Sequence, residues 1–242
     1  MLKSRYELPN DRTLNRVLSL RAKSSRGALD IGAYVGDTAV LLSPLVRGMV
    51  YAFEPFPDTY AELVENAKSF SNIVCINKAV SNKTGASKLY VDLLFPADNM
   101  LAYSYGRNTV DIETTTLDDW YFNYICSSCG ALPTIDLVKM DIQGGEVDAL
   151  YGGKEMFKKL RPTIIVEFAP FHIKKHGREP REIFEFLYKM CYTVRDINEQ
   201  VGEPIDIKDL RLFIAYYMDT GFHTNLLCTR RKSNEHIMVR GL

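Results

Sequence analysis

Several things are scarce in this sequence, and each shortage removes a class of protein. Its 242 residues carry no net charge, with 30 Lys plus Arg against 30 Asp plus Glu. No overall basic field is therefore available to hold a nucleic-acid backbone. No apolar run approaches the ~18 residues of a membrane-spanning helix, and the polar start MLKSRYELPNDRTLNR lacks the apolar segment of an export signal. The expectation is a cytoplasmic protein with no membrane span and no nucleic-acid partner. The five cysteines (Cys75, Cys126, Cys129, Cys191, Cys228) are odd in number and irregularly spaced, which speaks against a disulfide framework. Cys126 and Cys129 have metal or redox spacing, but no second pair completes a four-ligand zinc site, so they are read as loop residues. No repeat, low-complexity tract or linker divides the chain, and its length suits one domain over 1–242.

What is present is an alternation of short β-rich runs with longer stretches of helical period, the mark of βαβ units and a mostly parallel sheet. GALDIGA from Gly27, MVYAFEP from Met49 and NIVCINKAV from Asn72 read as the first three strands. IDLVKMD from Ile135, TIIVEF from Thr163, YTVRD from Tyr192 and NLLCT from Asn225 read as the other four. Several of these runs lack clean alternation, as fits strands covered by helices on both faces. Tyr60, Leu63, Val64 and Ala67 recur at helical spacing, as do Ile183, Phe184, Leu187, Met190 and Cys191, so both sets predict core-facing helices. EVDALYGG predicts a helix closed by a left-handed Gly152 or Gly153, with Pro162 barring helix beyond it. Three segments fall outside the rhythm: a leading helical segment at 1–26, a β-rich insertion at 87–117 expected to form an antiparallel pair, and a helical insertion at 202–224.

The first strand runs into LDIGAYVGDT, where Gly32 and Gly36 bracket a tight turn and Asp37 with Thr38 can cap the following helix. Eighteen residues past Gly36, the second strand ends at Glu54, an acid placed to accept the hydroxyls of a ribose. Together these point to an adenosyl ligand. The glycines are spaced G-x-x-x-G rather than the G-x-G-x-x-G that a dinucleotide pyrophosphate requires. That disfavours NAD, and an NAD-dependent oxidoreductase stands second. S-adenosylmethionine, cationic and without phosphate, suits a turn that begins with an acid, here Asp30.

The segments DIGAYVGDT, VYAFEPFPDTYAELVENA, INKAVSNKTG, ETTTLDDW, IDLVKMDIQGGEVDALYGG and RPTIIVEF occur in this order over roughly residues 27 to 170, and in them the chain resembles the FkbM-type methyltransferases. The resemblance implies a class I methyltransferase fold: a Rossmann-like seven-stranded, mostly parallel sheet, helices on both faces and an antiparallel last strand. It also implies S-adenosylmethionine as donor and O-methylation of a sugar, glycan or natural-product hydroxyl. Asp30, Gly32, Gly36, Asp37 and Thr38 would then meet the methionine and ribose end, and Glu54 the ribose diol. Asn77, Ala79, Val80 and Ser81 would lie near the adenine, although Ala79 and Val80 read equally well as core.

Asp141 ends the fourth strand, Gly144, Gly145 and Glu146 open the next helix, and Glu167 ends the fifth strand. Carboxyl ends of parallel strands face the ligand crevice, so these acids are expected to converge. Asp141 or Glu167 could take the proton of a hydroxyl nucleophile, with His172 as a further candidate. The other reading makes Asp141 and Glu146 fittings of a helix amino end and His172 a packing residue. The acids could also bind a divalent cation, so metal assistance stays open. Lys174, Lys175, His176 and Arg178 form a basic cluster that is either a solvated face or a grip for an anionic acceptor. Tyr103, Tyr105, Tyr216 and Tyr217 either stack on a sugar ring or fill the insertions. A non-catalytic adenosyl-binding protein remains a third reading, and the oligomeric state is not legible.

Overall fold

A computed structural model describes residues 12–91, 101, 108–125, 132 and 134–231. The Cys126/Cys129 pair, Tyr103 and Tyr105 lie outside them.

The central sheet has eight strands in the order β10-β9-β11-β8-β7-β1-β2-β3. Its middle is parallel: β1 (Ala28–Ile31), β2 (Val50–Phe53), β3 (Ile73–Ile76), β7 (Leu137–Met140) and β8 (Thr163–Phe168). β11 (Thr224–Arg230) slots antiparallel between β8 and β9 (Tyr192–Asn198), as expected for the last strand. The count of seven is corrected to eight by β10 (Glu203–Asp206), which pairs antiparallel with β9 inside the segment read as helical. EPID is short, charged and carries Pro204, features tolerated only where one strand edge faces outward. The rest of that insertion is helical, α9 (Leu210–Thr220).

The β-rich insertion forms the expected antiparallel pair, β5 (Gly85–Val91) with β6 (Asn108–Thr115). It belongs to a separate three-stranded sheet completed by β4 (Ala79–Val80). The third predicted strand therefore splits, and its second half leaves the main sheet. A helical turn α4 (Leu117–Asp119), capped by the Thr116 hydroxyl, continues as a π-helix over Trp120–Ile125.

Successive side chains of a strand point to opposite faces, and here the two faces hold different cores. Leu29, Ile31, Phe53, Val138, Met140 and Val166 pack with α5 (Glu146–Gly152), α6 (Lys154–Leu160) and α8 (Arg181–Lys189). Ala28, Val50, Ala52, Leu137, Ile165 and Leu227 pack with α1 (Arg12–Ala22), α2 (Asp37–Leu42) and α3 (Pro57–Ala67). On α3 the buried residues are Thr59, Leu63 and Ala67, while Val64 turns outward at 43% exposure, against the expectation. On α8, Ile183, Phe184 and Leu187 are buried, but Cys191 is exposed past its end in the left-handed region. Gly153 has φ −111°, so α5 ends in a bend into α6 rather than in a left-handed cap. Among the described residues no helix is long and apolar enough to cross a membrane.

Candidate active site

The period-two rule places Asp30, Lys139 and Asp141 on one face of the sheet, and the ladder extends that row sideways. Asp30 pairs with Lys139 across β1 and β7, Lys139 with Ile165, and Glu167, two residues on, with Asn225 of β11. All lie at or near the carboxyl edge of the parallel strands.

The turn after β1 is built around backbone contact. Gly32 has φ +80°, and a Cβ there would fall 1.8 Å from the Asp141 carbonyl oxygen, so only glycine fits. The Gly32 and Ala33 amides donate to the Phe53 carbonyl at 3.0 and 2.9 Å, which ties the turn to the end of β2. Tyr34 follows at φ 51° and donates its amide to Glu54 Oε2 at 2.9 Å. Glu54 Oε1 accepts from the Phe56 amide and the Thr59 hydroxyl, each at 2.9 Å. Burial raises the Glu54 pKa, and these donors hold it back. Three of the roughly four acceptor sites of a carboxylate are thus taken. The Thr59 hydroxyl also lies 3.1 Å from the Phe56 carbonyl, to which it can turn its single proton. Asn77 braces the same corner, donating to the carbonyls of Glu54 and Pro55.

A second glycine turn follows β7. Glu146 Oε1 accepts the amides of Ile142 and Gly144 at 2.9 and 3.3 Å, stapling the turn. Gly144, at φ +100°, packs against the His172 carbonyl in α7 (Pro170–Lys175), 2.4 Å from where a Cβ would sit. Asp141 accepts from Lys139 Nζ and Gln143 Nε2, both at 3.1 Å.

The electrostatics are those of a crowd of acids around one ammonium. Asp30 is fully buried; the Ala39 amide lends its carboxyl a loose backbone contact, and neither oxygen makes a full hydrogen bond among the described residues. Desolvation pushes it up to about 7, against the pull of Lys139. Glu146, also fully buried, is pushed up to about 7 by desolvation despite its amide donors. Burial and the charges of Asp141 and Glu146 raise Glu167 well above its ordinary value, which favours its protonated form. Burial opposes ionisation of Asp141 too, but the charge and hydrogen bond of Lys139 and a bond from Glu167 outweigh it and lower its pKa. Burial would lower Lys139, yet Asp141 and Asp30 keep it above its usual range. Asp141 is the accessible member, its side chain 32% exposed against 9% for Lys139 and 7% for Glu167.

A Rossmann-like sheet with these two turns is matched by the family described as "Methyltransferase FkbM domain" over residues 30–194. The chain belongs to the FkbM methyltransferase family. Among the relatives of this FkbM methyltransferase is the 2-O-methyltransferase NoeI of Sinorhizobium fredii, 29% identical over 71% of this chain and 75% of that one. Another is the hexuronic acid methyltransferase AglP of Haloferax volcanii, 23% identical over 75% of this chain and 69% of the relative. In fold, it is similar to the crystal structure of methyltransferase FkbM from Methylobacillus flagellatus, with a TM-score of 0.50 and 14% identity over 84% of this chain and 43% of that one. Membership in a methyltransferase family sets aside the oxidoreductase reading.

The FkbM chain brings together Asp30, Gly32, Glu54, Asn77, Asp141, Glu146 and Glu167 at one sheet edge, and it reassigns some details. Gly36 is the residue preceding α2 and no side chain caps that helix, so Asp37 and Thr38 are its first residues rather than its cap. Ala79 and Val80 are core residues, 4% and 2% exposed, and Ser81 follows them, its amide bonded to the Thr115 carbonyl. His172 is half-buried in α7. The basic cluster is engaged internally: Arg178 with Asp148 and Glu182, His176 with Asp148, Lys174 with Glu179, and Lys175 over the Phe171 ring. Tyr217 is buried and Tyr216 is half exposed. Among the described residues no group of three or more His, Cys, Asp or Glu side chains is arranged to hold a metal ion.

Two participants were not singled out from the sequence. Lys139 had a signal, a lone cation inside the buried strand LVKM. His223 had none: it sits in a loop beyond α9, yet its Nε2 lies 3.9 Å from Glu167 Oε1.

Proposed function

We propose that this FkbM methyltransferase transfers the methyl group of S-adenosylmethionine to a hydroxyl of a sugar. The observation that carries the reading is the glycine turn after β1 tied to Glu54 at the end of β2, a carboxylate with an acceptor site left open for a ribose hydroxyl. Asp141, whose pKa is lowered, adds an ionised carboxylate at the same sheet edge, and the donor brings both a sulfonium and an ammonium.

The residues present fit that group. Glu54, at the end of β2 and bonded to the turn through Tyr34, has one acceptor site open for a ribose hydroxyl and gains a second when Thr59 turns to the Phe56 carbonyl. Asp30, fully buried beneath the turn and pushed up to about 7, adds negative potential in its ionised form from behind rather than by contact. Bound at this turn, S-adenosylmethionine supplies an electrophilic methyl group.

The protein's own task is to orient a hydroxyl and receive its proton. Asp141 is suited to that task because it is ionised and accessible. Glu167 is raised while Asp141 is lowered, so the proton the two share favours Glu167, which then supports Asp141 as a donor rather than acting as the base. Lys139 keeps Asp141 anionic until the hydroxyl proton arrives. Glu146 holds the turn that carries Asp141. The names of NoeI and AglP, a 2-O-methyltransferase and a hexuronic acid methyltransferase, support a saccharide acceptor.

Calorimetry with S-adenosylmethionine, S-adenosylhomocysteine and NAD tests the reading. The two adenosyl sulfur compounds bind and NAD does not. Binding of NAD alone, or loss of no affinity in Glu54→Ala, overturns it.

A further inference from the structure

Beside the acids, the insertion between β9 and β11 forms an open cleft that the methyl-transfer reading does not use. Arg195, Asp196 and Asn198 of β9, Lys208, Tyr216 of α9 and Phe222 line it, and it runs to His223 and Asn225. Those last two residues connect it to the transfer site: Asn225 is the cross-strand partner of Glu167, and His223 Nε2 is 3.9 Å from Glu167 Oε1.

We infer that this cleft is the acceptor subsite and that it takes a saccharide ring, stacked on Tyr216 and Phe222 with its hydroxyls turned toward Asn225 and His223. The inference rests on the proposed methyl transfer to a sugar and adds where the sugar lies and which residues select it.

Three observations carry it. Tyr216 and Phe222 are 51% and 65% exposed, and aromatic rings left open beside a polar cleft match the apolar face of a pyranose, just as amides and charged groups match its rim. The platform is rigid: Tyr216 packs edge-on against Tyr217 at 5.0 Å, and Tyr217 against Phe213 at 4.9 Å. Tyr217 and Thr224 both donate to Asp196, which pins α9, β11 and β9 together beneath the cleft. Finally, Asn225 borders the cleft, and its side-chain oxygen is buried without a hydrogen-bond partner among the described residues, a deficit that a hydroxyl reaching in from the cleft would relieve.

The test uses the full chain loaded with S-adenosylhomocysteine and a panel of methyl glycosides: hexosides, 6-deoxyhexosides and hexuronosides. Saturation-transfer NMR reads contact and titration reads affinity. At least one glycoside binds the wild type, and Tyr216→Ala and Phe222→Ala each weaken it about tenfold or more, with S-adenosylhomocysteine affinity unchanged. Val64→Ala, on the exposed side of α3, serves as a control and changes neither. Both rings stand at the surface, so their removal leaves the core intact, which circular dichroism checks. If the wild type binds S-adenosylhomocysteine but no glycoside, or if both ring variants bind glycosides as well as wild type, the cleft is not the subsite. Failure to bind S-adenosylhomocysteine at all instead refutes the methyl-transfer reading beneath it.

Discussion

Asp30 and Lys139 face each other across the β1–β7 ladder, both almost wholly buried, with Asp141 two residues beyond the lysine. A lysine in that position turns a cluster of acids into a stable arrangement, because an unpaired buried charge is far more costly than a paired one.

Replacing that lysine should therefore be severe and pH-dependent. Lys139→Met removes the counter-charge of Asp30 and Asp141, and breaking a buried pair costs about 3 kcal/mol or more. The loss should be large at pH 8 and small near pH 5, where the acids can protonate. Urea unfolding at the two pH values measures it, and equal losses at both would show that the ammonium acts by packing alone.

The raised acids set the pH dependence of the unliganded protein. Asp30 and Glu146 are pushed up to about 7 and Glu167 is raised well above its ordinary value, against roughly 4 in an unfolded chain. The folded state thus holds protons that the unfolded state has released, so the stability these groups lend is complete below about pH 4 and is lost as pH rises through about 7. Asp141 and the buried His176, both lowered, oppose this in part. The melting temperature should fall by about 5 °C from pH 5.5 to 8, and Glu146→Gln, which mimics the protonated acid, should flatten the slope. A melting temperature that climbs with pH would contradict the assignment.

The two acids nearest the transfer site should separate in kinetics. Asp141→Asn removes the ionised, accessible carboxylate and should lower kcat about 10²- to 10⁴-fold, leaving S-adenosylhomocysteine affinity within a few-fold. Glu167→Gln replaces an acid whose raised pKa favours the protonated form and should cost less than about tenfold. Initial rates with isotope-labelled donor decide the matter, and the reverse ranking would move the base to Glu167.

The parallel core of the fold was legible because β1, β2 and β7 lack clean polar alternation and are buried throughout, Asp30 and Lys139 being the charged exceptions, as strands covered on both faces are. The edge was not: Glu203–Asp206 has one aliphatic side chain, Ile205, beside a proline and between two acids, and becomes a strand only because β9 offers it a partner. Among site residues, Asp141 and Glu167 could be placed because strand ends converge in an open sheet. Their protonation could not, since it depends on Lys139 and on burial, which the sequence does not encode locally. Asp37 and Thr38 looked like caps by residue type, but the left-handed Gly36 already occupies the capping position. His223 is close to Glu167 only through the antiparallel return of β11, a tertiary relation with no local signature.

The loops at the sheet edge touch one another bone to bone. Gly32 rests on the carbonyl of Asp141, and Gly144 rests on that of His172. Each junction is backbone against backbone, so the two turns and the start of α7 form a single plate whose spacing has no soft spring in it. New acceptors can therefore arise by reshaping what surrounds the plate, whereas the distance between the donor bend and the proton-accepting acid is fixed by the thickness of the peptide backbone.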